Sequence, residues 1–223
     1  MSLTDLIPDY DYNNILFFLI IFDIIISLAI GIYYICRYKK NHVRLTLLWG
    51  LAFFSVGIGL TIYIFMKYVF SIIFIDFGWD YYRLFNKGSI LFLTAFLGFS
   101  TFDIILINKK GSIIGKTTII SLTILATISL IIEFCFLIPI YSFSSLIARI
   151  MAFWIIFFFS YFSINSKNFR ILAITIGFII ATITGIIMAS FHGTLLDIIA
   201  HGIHYTFYFF IAYGLFFTRP KKE

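Results

Sequence analysis

Four polar side chains recur at helical spacing in the last apolar segment of the chain. Asp197, His201, His204 and Tyr208 are separated by four, three and four residues, so in a helix that turns about 100° per residue they share one face. Ionisable side chains are costly within a membrane, and they usually face the interior of a helix bundle or water and mark a functional site. The stripe therefore predicts a ligand pocket that opens outward.

Three further ionisable residues are candidates for the same pocket. Asp23 lies near the middle of the first apolar segment, Glu133 in the outer half of the fourth, and Arg149 at the outer end of the fifth. We expect Glu133 and Arg149 to form an ion pair at that end. The alternative is that all of these groups only hydrogen-bond between helices.

The two histidines also allow a metal site. His201 and His204 could share an ion, with Asp197, Glu133 or His192 completing the three or four ligands that zinc needs. Beside carboxylates, a histidine also suits proton sensing, because its pKa is ordinarily about 6.5. We expect no cofactor and no catalytic residue, with zinc or another metal at His201 and His204 as the alternative.

The composition describes the surroundings of these residues. The 223 residues are 62% hydrophobic and only 12% charged, against about 45–50% and about 25% in soluble domains. A soluble globular domain is therefore excluded. The net charge of +6 comes from basic clusters between apolar runs, which favours membrane orientation over nucleic-acid binding. The predicted partner is the lipid bilayer.

Seven apolar segments must position the polar groups. Each is much longer than the 9–11 residues of a membrane-spanning strand, so we predict helices. The expected architecture is all-α, a single seven-helix transmembrane domain over residues 1–223. Treating the fifth segment as re-entrant gives a six-span alternative. The predicted helices are 14–36, 45–74, 89–107, 117–140, 146–163, 171–190 and 195–217.

The distribution of basic residues predicts the orientation. Twelve of the 16 Lys and Arg residues fall in the first, third and fifth connections and the C-terminal tail, and four fall on the other side. By the positive-inside rule the N-terminus lies outside and the C-terminus in the cytoplasm, which requires an odd number of spans. We expect a plasma membrane of prokaryotic type.

The sixth segment carries small residues at every fourth position, a pattern that lets another helix approach closely. The approaching helix is either part of this chain or part of a second copy, which would make a homodimer. The stripe comprises Ala173, Gly177, Ala181, Gly185 and Ala189.

Two seven-helix groups differ from this chain at essential residues. Microbial rhodopsins hold retinal on a lysine of the last helix, and residues 195–217 contain no lysine, so no retinal is expected. The superfamily of alkaline ceramidases and adiponectin receptors has H-x-x-x-H in its last helix and a histidine in the second. Here the last helix has H-x-x-H, at His201 and His204, and the second has no histidine.

A third group matches the layout of most of the chain. The residues that carry the likeness are the basic junction from Arg37 to Arg44 that leads into Trp49-Gly, the run Tyr82-Arg-Leu-Phe-Asn-Lys-Gly88, and the final Tyr213-Gly-Leu-Phe-Phe. In these features the chain resembles the seven-helix N-terminal membrane sensor regions of archaeal and bacterial histidine kinases. The resemblance implies a stand-alone sensory module without a kinase, which signals to a separate cytoplasmic protein.

Three functional hypotheses follow. The first is a non-enzymatic receptor-like or adaptor module that binds a small ligand, a lipid or a proton in the outward-facing pocket. The second is an intramembrane metal-dependent hydrolase that uses His201 and His204. The third is a small transporter or channel with Asp23, Glu133, Asp197 and the histidines along its path.

Overall fold

The computed structural model describes residues 9–66, 88, 90–98, 100–101, 109–136, 143–191 and 194–216. Over these residues the chain is helical and contains no strand, so the all-α fold class is confirmed. We number seven helices in chain order; for α3 the described helical residues are 88, 90–98 and 100–101. The others are α1 (Asp9–Asn41), α2 (Arg44–Ile64), α4 (Lys109–Phe136), α5 (Phe143–Ser166), α6 (Phe169–Ser190) and α7 (Leu195–Phe216).

Helices of membrane-spanning length account for most of the described residues. Five are long and apolar enough to cross a bilayer, and a shorter apolar stretch, Lys116–Ile132, lies in α4. Long apolar helices of this kind indicate an integral membrane protein. The orientation and the count of seven spans stay predictions. The five are Asn14–Asn41, Arg44–Ile64, Leu146–Asn165, Phe169–Met188 and Leu195–Gly214.

Several helix boundaries differ from those predicted: α1 begins at Asp9 and not at 14, α4 begins at Lys109 and not at 117, and α5 ends at Ser166 and not at 163. The prediction ended the first helix at residue 36, before the basic cluster, whereas α1 continues to Asn41. A helical backbone does not require apolar side chains, and Lys39 and Lys40 in the last turn interact favourably with the helix dipole. The α-helical part of α2 ends at Ile64 and a π-helical turn follows at residues 65–66. Residues 67–74 of the predicted second helix lie outside the described residues.

Residues with left-handed backbone follow α1 and α5. His42 has a φ of 52° and Lys167 a φ of 48°. The His42 N–H donates to the Tyr38 carbonyl at 2.7 Å, which completes the last turn of α1 before the chain reverses. On the far side of Lys167, the Asn168 side chain caps α6 by accepting from the Arg170 N–H at 3.0 Å. Very short connections thus join α1 to α2 and α5 to α6.

The chain divides into two compact units. One, which we call the central unit, is Ile20–Trp154; the other, the terminal unit, comprises Met1–Leu19 and Ile155–Glu223. The divisions fall within α1 and α5. The single-domain organisation stays a prediction.

In the central unit, α1 and α2 pack through glycines. A Cβ added at Gly31 would lie 2.7 Å from the Phe54 backbone nitrogen, and one added at Gly57 would lie 2.6 Å from the Leu28 side chain. Distances this short mean that the two helices approach closely only because a side chain is missing at these positions.

The rest of the central unit has an apolar core that α3, α4 and α5 share. Its buried members are Leu91, Ile119, Ala126, Ile147, Ala148 and Met151. A hydrogen bond from the Trp154 indole N–H to the Thr101 hydroxyl, at 3.2 Å, adds a polar contact between α5 and α3.

In the terminal unit, aromatic rings connect three helices. Phe159 of α5 stacks on Phe178 of α6 at a centroid distance of 5.9 Å, and Phe178 contacts Phe207 of α7 at 5.7 Å. Residue 177 faces 207 and 210, and residue 174 faces 214, so α6 and α7 run antiparallel. This pairing sets the height at which each polar residue of α7 meets α6.

Candidate functional site

The polar stripe predicted from the sequence lies on one face of α7. Asp197 occupies the first turn and is completely buried, and Tyr208 is also buried. His201, with a side chain that is 14% exposed, and the partly buried His204 lie between them. The His204 and Tyr208 rings meet edge to face, 5.9 Å apart. The helical spacing thus placed these residues correctly on one face.

Asp197 orients the imidazole of His201, one turn further along. The Nδ1 atom of His201 lies 2.9 Å from the Asp197 backbone carbonyl oxygen and 3.1 Å from Oδ1 of its carboxylate. A carbonyl oxygen can only accept a hydrogen bond, so Nδ1 must carry the proton and donate it. In its neutral form His201 therefore has its lone pair on Nε2.

His204 makes the polar contact between α7 and α6. Its Nδ1 lies 2.9 Å from the Thr184 hydroxyl oxygen, and that hydroxyl donates to the Ile180 carbonyl at 2.7 Å. A threonine hydroxyl has a single hydrogen, which it can give either to this carbonyl or to Nδ1, so the tautomer of His204 decides which of the two groups donates across the helices.

A second hydrogen bond attaches α7 to the N-terminal part of α1. The Tyr205 hydroxyl, next to His204 in sequence, donates to the Leu19 carbonyl. Neither Thr184 nor Tyr205 was among the residues predicted from the sequence. Thr184 has no ionisable group, and Tyr205 directly follows His204 and so lies about 100° away from it around α7, which is why the helical spacing of the stripe selected neither.

We call Thr184, Asp197, His201, His204 and Tyr208 the α6–α7 polar seam. All five belong to the terminal unit. The seam brings two imidazoles and a threonine hydroxyl together beside a buried carboxylate. Such a set can accept hydrogen bonds or coordinate a cation.

Two of the other predicted pocket residues belong to the other unit of the chain. Asp23 is buried and Arg149 exposed, and both belong to the central unit. The Glu133 side chain and His192 lie outside the described residues, so the Glu133–Arg149 ion pair stays a prediction.

The small-residue stripe of α6 packs on α7 at one end only. Ala173 is buried, and a Cβ at Gly177 would lie 3.2 Å from Phe210. Ala181 is partly buried, whereas within the described chain no atom lies within 4 Å of a Cβ built at Gly185. The described residues thus show intramolecular packing at Gly177 and none at Gly185, because a four-residue repeat drifts by about 40° per step around the helix. The Ala189 side chain lies outside the described residues.

The seam by itself does not make a complete metal site. Among the described residues, no three His, Cys, Asp or Glu side chains are grouped closely enough to hold an ion. Any ion at His201 and His204 would need water or another ligand in its remaining positions.

Comparison with known proteins does not assign this chain to a family. No protein-family model, no curated protein and no solved structure matches this chain. The function must therefore be argued from the seam itself.

Proposed function

We propose that the protein is a non-enzymatic, receptor-like integral membrane module that binds a small ligand at the α6–α7 polar seam. The observation that carries the proposal is the hydrogen bond between His204 and Thr184, an ionisable group bonded across two otherwise apolar helices. Ionisable groups in spans are functional sites by default because their burial is costly.

The packing of α6 on α7 supplies a route for a signal. At one end Gly177 and Gly214 hold the helices close, with a Cβ at Gly214 only 2.8 Å from the Arg170 carbonyl. At the other end the helices meet at His204 and Thr184. A ligand that engages the imidazoles redirects this contact and shifts α6 relative to α7, and helix shifts of about 1–2 Å are typical of such transitions.

The remaining parts of the proposal come from the sequence. The resemblance to histidine-kinase sensor regions supports signalling to a separate cytoplasmic protein through the basic loops. A lipid or a proton in place of a small ligand, and a homodimer formed through α6, are alternatives within the same scheme. The hydrolase and the transporter stay predictions.

Spin labels on the two helices test the proposal. In liposomes, the full chain carries Cys36→Ser and Cys135→Ser with labels at Ile186→Cys on α6 and Ile199→Cys on α7. Dipolar broadening is measured after adding Zn²⁺, after adding a short-chain phospholipid, and after a pH step from about 8 to about 5. We expect at least one treatment to change the spacing of the labels.

Two threonines of α6 provide the matched control. Thr184 and Thr175 are 2% and 3% exposed, and each hydroxyl donates to its own helix, to Ile180 and Ile171 respectively. Thr184 in addition bonds His204. The response should disappear in Thr184→Val and persist in Thr175→Val. No response to any treatment, or equal responses in both variants, would contradict the proposal.

A further inference from the structure

We infer that the turn between α1 and α2 binds the headgroup of an anionic phospholipid. We call residues 37–44 the basic corner; they form the last turn of α1, the two connecting residues and the first residue of α2. The basic corner belongs to the central unit and shares no residue with the α6–α7 polar seam. The inference is therefore independent of the ligand proposed for the seam.

The first argument is the concentration of positive charge. Four cationic side chains fall within these eight residues, and all four are exposed. The segment 24–75 contains no Asp or Glu, so no neighbouring carboxylate along the chain balances them. A basic residue close to an anionic lipid surface favours binding by about fivefold. The four cations are Arg37, Lys39, Lys40 and Arg44.

The second argument is the surface that leads to the cations. Along α1, five exposed residues recur at intervals of three and four, so they lie within about 80° of one another around the helix. Lys40 continues the same line one turn further, with Lys39 and Arg37 on either side of it. The five residues, which we call the exposed α1 stripe, are Phe22, Ile25, Ala29, Ile32 and Cys36.

The order of groups along α1 is that of a phospholipid. An acyl chain that lies on the exposed α1 stripe brings its phosphate to the level of Lys40, where cations on three sides of the helix can contact it. An acidic protein segment would use the cations but would leave the apolar stripe uncovered. The arrangement therefore favours a lipid over an acidic protein as the occupant.

The third argument is the order of the backbone at the basic corner. The Asn41 side-chain oxygen accepts from the Val43 N–H at 3.0 Å, and the rings of Tyr38 and His42 meet edge to face with their centroids 5.9 Å apart. The glycine contacts of α1 with α2 fix the two helices against each other. The backbone that carries the cations is thus in place before a lipid arrives, which reduces the entropic cost of binding.

Cys36 supplies the reporter, because it is exposed one turn before Lys40. The full chain with Cys135→Ser carries an uncharged fluorophore on Cys36, in nanodiscs of phosphatidylcholine. A small fraction of the lipid is replaced by phosphatidylglycerol, or by phosphatidylcholine, with a quencher near the top of its acyl chains. We expect phosphatidylglycerol to quench as if it were about fivefold enriched beside the label. This preference should fall at about 1 M salt, where charges are screened within about 3 Å.

Two double variants separate the basic corner from net charge. Lys39→Gln with Lys40→Gln removes two cations of the corner, whereas Arg149→Gln with Lys167→Gln removes two exposed cations elsewhere. The preference for phosphatidylglycerol should be lost in the first variant and kept in the second. Thermal unfolding checks that both variants are folded.

Three results would overturn the inference. They are equal quenching by the two lipids, a preference that survives in the first variant, and an equal loss in both variants. Absence of a lipid preference would leave the cations to the predicted cytoplasmic protein. The spin labels on α6 and α7 report on different helices, so failure at the basic corner and failure of the receptor proposal are distinguished.

Discussion

The α1–α2 contact of the central unit and the α6–α7 contact of the terminal unit join consecutive helices in different ways. Between α1 and α2, a Cβ added at Gly31, Gly50 or Gly57 would lie within about 3 Å of an atom of the facing helix. Between α6 and α7 the tight glycines, Gly177 and Gly214, occupy one end, and a histidine–threonine bond occupies the other.

The difference concerns how many arrangements each contact allows. A helix packed directly against the glycines of its neighbour has one favourable distance, because any change of the distance between the two helices loses van der Waals contacts at all of these glycines. A hydrogen bond between two side chains can break and be replaced by a bond to a ligand. We infer that α1–α2 is the fixed contact and that the polar end of α6–α7 is the adjustable one.

The largest effect is expected for Gly31→Ala. The added Cβ would lie 2.7 Å from the Phe54 nitrogen and 2.9 Å from its Cα, and backbone atoms cannot rotate away. We expect a loss of about 1–3 kcal/mol in the free energy of unfolding, typical of overpacking, measured by denaturation in detergent micelles. Unchanged stability would show that α1 and α2 can move apart, and the α1–α2 contact would then be no more fixed than the α6–α7 contact.

An intermediate effect is expected for Thr184→Val, which removes the hydroxyl that bonds to Nδ1 of His204. Hydrogen bonds between membrane helices contribute about 0.6 kcal/mol on average and up to about 1.7 kcal/mol. The matched Thr175→Val should cost less, because valine removes only a bond within α6. Equal losses of unfolding free energy in the two variants would mean that the bond across the seam contributes nothing.

The smallest effect is expected for Gly185→Ala. No described atom lies within 4 Å of the added Cβ, and alanine is favoured over glycine in a helix by about 0.8–1.0 kcal/mol, so stability should stay level or rise slightly. Destabilisation would reveal a neighbour at this position. Gly185→Leu extends the test to the predicted homodimer: abolished crosslinking between copies of a folded chain would place the dimer contact here.

The sequence predicted the faces of helices well and their partners poorly. Helical spacing alone placed the four polar residues on one side of α7, because rotation per residue is a constant of the helix. The choice of Thr184 as partner for His204 also depends on the height and rotation of α6. Because the connection between α6 and α7 is short, the residue of α6 that faces His204 can be predicted to within about one helical turn. Thr182 and Thr184 are the candidates in that turn, and only the packing of the two helices decides between them.

The sequence missed the end of α1 and left the neighbours of Gly185 open, for related reasons. Hydrophobicity marks where a chain leaves the apolar layer, whereas a helix ends where its backbone changes, at His42. A repeat of small residues predicts that some helix can approach, but it cannot tell how far along the repeat the neighbour follows.

The hydrogen bond from Tyr205 to Leu19 has a mechanical consequence. Tyr205 and His204 are adjacent, so their side chains leave α7 about 100° apart at nearly the same height, one bonded to α1 and one to α6. Two anchors in different directions fix the angle of α7 about its own axis. Under the proposed function, a ligand that takes His204 away from Thr184 removes one of them, and α7 is then held by the phenol bond and by its packing at Gly177 and Gly214. The movement at the seam should therefore be a rotation of α7 as much as a displacement, and labels placed around its circumference would record it.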